Sequence, residues 1–308
     1  MKLEGIHHVT AITSDARRNL GFYTGTLGLR LVKKSINQDD ATAYHLFYGD
    51  EQGSAGADLT FFEYPGLVQG RPGAGMIHRV SFRVSSVDAL DFWAKRLQGL
   101  ELIEERNEER LLFHDPDGLG LEFELDTSVD EPLTAIHPEI PQEFALRGFA
   151  GVRAFSADPG SSSPFLVEGL NFQPAGDHGY EVRGALRGSF YQQQRSTLRG
   201  LPGSGTVHHV AWAAPLGEHS AWLGRLAEAG TPSTPIIDRY YFRSIYFREP
   251  SGVLFEIASI GPGFTVDEPA EHLGEHLSLT PRYEHLRAAA EARLTPLSNP
   301  RDSWVAAR

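Results

Sequence analysis

The sequence predicts an α+β fold made of four copies of one βαβββ module, arranged as two similar domains with cupped mixed sheets. Three observations carry this. The phrase GIHHVTAIT from Gly5 returns as MIHRVSFRV from Met76 and TVHHVAWAA from Thr206, with a fainter copy, GFAGVRAFS, from Gly148. Each phrase reads as a strand followed by a helix-start or turn signal: Ser14-Asp15, Ser86-Val87-Asp88, Ala157-Asp158-Pro159 and Pro215-Leu216-Gly217. Two copies also share an ending. Asp115-Pro116-Asp117-Gly118-Leu119-Gly120-Leu121-Glu122-Phe123 matches Glu249-Pro250-Ser251-Gly252-Val253-Leu254-Phe255-Glu256-Ile257, a tight turn feeding a strand with Glu four residues after its first Gly. The spacing is irregular, about 55 to 75 residues, which fits paired folded units and not a solenoid.

In chain order, the first helix is expected over 15–25, carrying Leu20, Phe22 and Tyr23, and is followed by extended runs at 29–35, 43–48 and 58–63. The second spans 87–97 with Leu90, Phe92 and Trp93. A weaker one falls at 161–169, and the fourth at 218–229 with Trp222, Leu223 and Leu226. The modules then occupy about 4–65 and 75–126 in an N-terminal domain (1–126), and about 146–195 and 205–260 in a C-terminal domain (146–260). The connector 127–145 contains Pro132, Pro138 and Pro141 and reads as extended. The extension 261–308 adds a Gly/Pro turn and an amphipathic helix near 282–294.

Composition narrows the function. Across 308 residues, 28 Lys and Arg against 40 Asp and Glu give a net charge of −12, which argues against a nucleic-acid or anionic-membrane partner. There is no cysteine, so thiolate metal sites, disulfides and cysteine nucleophiles are excluded, and a metal would have to sit on His, Asp or Glu. The start, MKLEGIHHV, has no apolar signal run and no later stretch is long enough to span a bilayer, so a cytoplasmic protein is expected.

Side chains on a strand alternate faces, so one histidine of His7-His8 and one of His208-His209 can point into a cupped sheet. Glu256, between Leu254-Phe255 and Ile257, would lie on a strand beside the one that carries His209. One imidazole from each pair plus Glu256 is a two-His, one-carboxylate set, which suits Fe(II) or Mn(II) and leaves positions open for substrate and oxygen. Arg79 and Gly151 replace the second histidine in the other two modules, so a single site is expected. Four residues after Gly56 stands Thr60, which supplies no carboxylate, although Glu63 is close by. Glu122 has the apolar flanks of Glu256 without a histidine partner, and a structural pairing with Arg79 is expected. Arg239 and Tyr246 precede the Glu256 strand, with Tyr246 on its antiparallel neighbour.

With these motifs the sequence resembles the vicinal oxygen chelate superfamily, which includes glyoxalases, fosfomycin and bleomycin resistance proteins and extradiol dioxygenases. More narrowly, it is similar to the hydroquinone ring-cleaving dioxygenases. The likeness is carried by Gly5-Ile6-His7-His8-Val9-Thr10, the run from Ala43 to Asp50, Val207-His208-His209-Val210-Ala211, Gly252-Val253-Leu254-Phe255-Glu256, and a tail of Gly263-Phe264-Thr265-Val266-Asp267-Glu268, Leu273-Gly274 and Leu277. It implies that His8, His209 and Glu256 bind Fe(II), with Mn(II) also acceptable, the second histidine of each pair being the one before a β-branched residue. It implies that His7, Thr10, His208, Arg239 and Tyr246 surround the site, with a neutral His7 or His208 as base toward a phenol and Tyr246 and Arg239 orienting oxygen atoms. The implied reaction opens a hydroquinone- or catechol-type ring with O2, and the implied partners are a small aromatic diol, O2 and further copies of the chain. Two other readings stand beside it. A glyoxalase-type isomerase would need a second carboxylate where Thr60 stands, unless Glu63 serves, and a metal-free binding protein need not keep His8, His209 and Glu256 together.

Overall fold

The computed structural model describes residues 1–100 and 102–305. The first module is β1 (Ile6–Thr13), α1 (Ala16–Leu20), β2 (Arg30–Asn37), β3 (Asp40–Gly49) and β4 (Asp58–Glu63). Asp15 starts its helix by accepting from the backbone N–H of Arg17 and Arg18, both at 3.0 Å. The helix continues as a wider π turn over Gly21–Thr26, which places Phe22 and Tyr23 in the core. The second module is β5 (Met76–Val84), α2 (Val87–Gln98), β6 (Ile103–Arg106), β7 (Arg110–His114) and β8 (Gly120–Leu125). Here Ser86 caps α2, and Leu90, Trp93 and Leu97, three and four residues apart, form its buried stripe.

In the third module, β9 (Phe149–Ser156), β10 (Gln173–Pro174), β11 (Gly179–Arg183) and β12 (Gly188–Arg195), the expected helix is a 3₁₀ turn at Pro159–Ser162 and a π turn at Phe165–Gly169. Its sequence is rich in Ser, Gly and Pro, which resist a regular helix. The fourth module is β13 (Val207–Ala214), α3 (His219–Glu228), β14 (Ile237–Asp238), β15 (Arg243–Arg248) and β16 (Leu254–Ser259).

The strands form two eight-stranded mixed sheets, ordered β14-β15-β16-β13-β1-β4-β3-β2 and β10-β11-β12-β9-β5-β8-β7-β6. The sheets do not follow the division of the chain at 1–126 and 146–260. Antiparallel pairing of β1 with β13 joins the first module to the fourth, and β5 with β9 joins the second to the third. Within each module the first strand pairs in parallel with the last, as β1 with β4 and β13 with β16. Each sheet is therefore two modules related by a local two-fold at the central strand pair.

The extension lies along the β2 edge. Ser278 N donates to Lys34 O at 2.8 Å and Ser35 Oγ to Ser278 O at 2.6 Å, so edge groups that would otherwise be open are covered. Lys33, fully buried, is held by Asp267 at 2.7 Å and by Glu268. Tyr241 Oη donates to the same Asp267, tying the segment before β15 to the extension. The expected helix over 282–294 is a 3₁₀ turn, Glu284–Leu286, leading into α4 (Arg287–Arg293), and α5 (Asp302–Val305) follows. The last three residues of the extension lie outside the described residues. Among the described residues no helix is long and apolar enough to cross a membrane.

Candidate metal centre

His8 on β1, His209 on β13 and Glu256 on β16 converge where the first and fourth modules meet, and all three are buried. His8 Nε2 lies 3.2 Å from His209 Nε2, and Glu256 Oε2 lies 3.0 Å from His209 Nε2 and 3.3 Å from His8 Nε2. The strand pattern dictates this. Glu256 is paired with Ala211, two residues on from His209, and the antiparallel β1–β13 register sets His8 opposite the same Ala211. Glu256 Oε1 accepts from Ser244 Oγ at 2.5 Å, while Oε2 is buried without a hydrogen bond. Burial pushes the Glu256 carboxyl up, and a proton on His8 or His209 Nε2, as charge and as hydrogen-bond donor, more than offsets this and holds it well below the usual carboxylate range.

Three lone-pair atoms spaced 3.0–3.3 Å apart repel one another unless something positive lies among them. Donors on one face of an octahedral ion with bonds of about 2.1 Å would stand about 3 Å apart. The residues fit a divalent ion of that kind.

The second sheet supplies an internal comparison. Ser81 pairs with Glu122 as Ala211 pairs with Glu256, so Glu122 holds the same carboxylate position, and Arg79 and Gly151 take the places of His209 and His8. Glu122 is not paired with Arg79, whose guanidinium goes to Glu104 at 2.7 Å. It accepts instead from Arg153 at 2.7 and 3.1 Å and from Ser81 Oγ at 2.7 Å. Arg153 is available because it sits opposite Arg79 in the β5–β9 register and projects on the same face. A side chain at Gly151 would strike the Phe190 ring, since a Cβ there would lie 2.4 Å from it. The same fold position thus satisfies its carboxylate with a guanidinium in one sheet and leaves one of its oxygens without a hydrogen bond in the other.

The residues around the three donors differ in placement. His7 points to the other face of β1. Its Nδ1 is 3.0 Å from His8 Nδ1, and its Nε2 is 3.1 Å from Ser259 O. With His8 Nε2 turned to the donor cluster, its Nδ1 carries the proton and donates to His7, which in turn donates to the carbonyl. Both nitrogens of His7 are therefore engaged, and it lines a separate cavity behind the sheet, so a role as base toward a phenol does not suit its position. Its ring is held neutral, burial and neighbouring His8 pushing it down to about 3.

His208, by contrast, faces the open side, with Nδ1 2.7 Å from His209 Nδ1. Burial and His209 push its ring down to about 4. Thr10 Oγ1 lies 2.8 Å from Thr60 Oγ1, which is 3.0 Å from His45 Nε2. Thr60 pairs with Thr10 as Glu256 does with Ala211, so Thr60 occupies the carboxylate position of the first module. Glu63 accepts from Ala16 N at 3.0 Å, at the start of α1, and is not at the centre. Tyr246 pairs directly with Glu256, its ring 5.6 Å from that of His209, and burial together with Glu256 pushes its phenol up. The guanidinium of Arg239 lies 5.4 Å from the Tyr246 ring.

Above the donors opens a cavity of about 480 Å³, within the usual range for small-molecule sites. Its apolar wall includes Ile36, Phe47, Phe62, Phe242 and Leu254. His45 also lines it and was not foreseen as a site residue, although strand alternation puts it on the same face as Phe47. Asp39 and Gln38, on the turn between β2 and β3, reach its mouth by long-range contacts that leave no local signal.

The profile of the Glyoxalase/Bleomycin resistance protein/Dioxygenase superfamily matches residues 5–123. A Bacillus subtilis protein named "Putative ring-cleaving dioxygenase MhqE" is 41% identical over 288 residues, covering 91% of this chain and 94% of its own. The chain belongs to this superfamily. "Chlorohydroquinone/hydroquinone 1,2-dioxygenase" of Sphingobium indicum is 34% identical over 307 residues, covering 93% of this chain and 94% of its own. A crystal structure of a "putative dioxygenase" from Bacillus subtilis superposes with a TM-score of 0.89 at 37% identity, over 96% of this chain and 98% of that one. Glyoxalase I from Zea mays shares the superfamily fold, with a TM-score of 0.60 at 16% identity over 88% of this chain and 96% of that one. The sequence led to an oxygenase of this superfamily, and the relatives of high coverage are enzymes of that class.

Proposed function

We propose that this protein is an Fe(II)-dependent dioxygenase that opens hydroquinone-type rings with O2, Mn(II) being the other ion its donors accept. The observation that carries the reading is the bare carboxylate oxygen of Glu256 between His8 Nε2 and His209 Nε2, at the floor of an apolar-walled pocket. His8, His209 and Glu256 would hold the ion. Bound there, it would supply Lewis acidity and an electron path between ring and oxygen, with three protein donors leaving positions for both.

The other residues prepare the pocket. Phe47, Phe62 and Phe242 exclude water and offer faces to an aromatic ring. His8 is fixed in tautomer and direction by His7, and His209 by His208, which accepts at Nδ1 and so carries its own proton on Nε2, toward the pocket, as a donor to a ring oxygen. Tyr246 stays protonated and Arg239 stays charged, so each can donate to oxygen atoms that gain negative charge. Thr60 in place of a second carboxylate speaks against the isomerase reading, and an uncompensated buried Glu256 speaks against a metal-free binder.

The test is oxygen uptake after anaerobic reconstitution with Fe(II), offering hydroquinone, methylhydroquinone and catechol in turn, with metal content assayed alongside. Uptake with a hydroquinone and one ion per chain is expected. Bound metal without uptake would return the weight to the isomerase. Light scattering on the purified protein tests the homo-oligomer that the family resemblance implies.

A further inference from the structure

The pocket above the donors carries an ion pair at its mouth. The β2–β3 turn, residues 37–40, meets the segment that carries Arg239. Gln38 Nε2 donates to Arg239 O at 2.9 Å, and the two terminal nitrogens of the Arg239 guanidinium donate to Asp39 at 2.8 and 3.1 Å. Tyr283 Oη, from the C-terminal extension, donates to Gln38 O at 2.7 Å and holds the turn from outside. Among the described lining residues Arg239 is the sole Lys or Arg, whereas Asp39 and Asp40 are both present. Asp40 is fixed as an anion by hydrogen bonds from the hydroxyl and backbone N–H of Thr42. An arginine whose two end nitrogens grip a carboxylate has its charge matched, so it offers an entering carboxylate hydrogen-bond donors but no unbalanced positive charge. Its Nε, buried and without a hydrogen bond, remains as a donor to an oxygen atom of a bound ring.

We propose that Asp39 is the specificity-determining residue of this pocket: by occupying Arg239 at the mouth it admits rings with uncharged substituents and turns away rings that carry a carboxylate. This rests on the ring-cleaving reading for its choice of substrates, but the selectivity is a property of binding as well as turnover. Asp39 and Asp40 against the single Arg239 leave the mouth one negative charge in excess, and removing the Asp39 charge would make it neutral; for a carboxylate within about 5 Å this change, discounted for the open position of Asp39, amounts to roughly tenfold in affinity.

The test compares 2,5-dihydroxybenzoate with its methyl ester, a pair of near-equal shape that differs in charge. The Fe(II)-loaded protein and its Asp39→Asn and Gln38→Ala variants are each measured twice, by kcat/KM from oxygen uptake and by anaerobic calorimetric binding. The native protein is expected to favour the ester by about tenfold or more. Asp39→Asn should bring the ester-to-acid ratio down about tenfold by raising the acid, a gain that structural damage would not produce. Gln38→Ala, which loosens the turn without changing charge, should lower both ligands alike and keep the ratio. A ratio near one in the native protein, an unchanged ratio in Asp39→Asn, or an equal shift in Gln38→Ala would each overturn the proposal. If no ring is turned over but the binding ratio shifts as described, the ring-cleaving reading fails and the charge filter stands.

Discussion

Replacing Glu256 by Gln should strengthen the metal-free protein and weaken the metal-loaded one. Without an ion at pH 8, where free imidazole is neutral, Oε2 faces two Nε2 lone pairs at 3.0 and 3.3 Å in a fully buried position. A buried charged acceptor without a donor costs about 1–3 kcal/mol, and the amide of Gln can turn its NH2 toward those nitrogens. At roughly 2–4 °C per kcal/mol, metal-free Glu256→Gln should melt about 2–12 °C above the native protein. With an ion at 100 times its Kd, the native protein gains about 2.7 kcal/mol, whereas the variant lacks the anionic donor and should gain little. The two proteins therefore exchange rank. Scanning calorimetry under argon, with chelator and then with Mn(II), which avoids oxidation, reads both limbs. A variant that melts below the native protein in chelator, or that Mn(II) stabilises equally, would refute the account of Glu256 as a carboxylate waiting for a cation.

Three further outcomes follow from the same geometry. His7→Phe keeps the ring volume but removes the acceptor for His8 Nδ1–H, and competitive chelator titration should show metal affinity reduced about 10- to 100-fold. Arg153→Met leaves buried Glu122 in the opposite sheet with only Ser81 and the part-exposed Arg110 at 3.5 Å, so urea unfolding should show a loss of about 1–3 kcal/mol with metal content per folded chain unchanged. His78 is pushed down to about 4 by burial and by Arg79, against about 6.5 in the unfolded chain, so its neutral form contributes stability that is complete above pH 6.5 and is lost as pH falls toward 4. His78→Gln should accordingly reduce the stability lost between pH 7 and pH 5 by about 1–2 kcal/mol, read from urea midpoints at the two pH values.

The repeated phrase made the modules and their first strands legible, because alternation along a strand is a local property. Alternation also brought one histidine of each pair and Glu256 within reach, while the choice of His8 and His209 over His7 and His208 came from the family resemblance. What could not be read were choices made between distant segments. Which modules share a sheet depends on β1 meeting β13, and the sequence divides more naturally at its proline-rich connector. Glu122 took Arg153 and not Arg79 because of a cross-strand register between modules. His45 and Asp39 enter the pocket from the first module, on a strand and a turn whose local sequence looks ordinary. The weak helix of the third module was legible as weak, since its Ser, Gly and Pro content offers little to a regular helix.

The bracketed order of the modules bears on how the chain is made. Modules two and three are neighbours in sequence and can close their sheet early, but His8 must wait for β13 and β16 before its sheet exists. At about 5–20 residues per second, His8 leaves the ribosome roughly 10–50 s before Glu256 does. Throughout that interval the nascent chain lacks the carboxylate and therefore the three-donor cluster. A divalent ion held by the three proposed donors would then bind only after β1, β13 and β16 have come together, so a chain interrupted before Glu256 would lack the cluster.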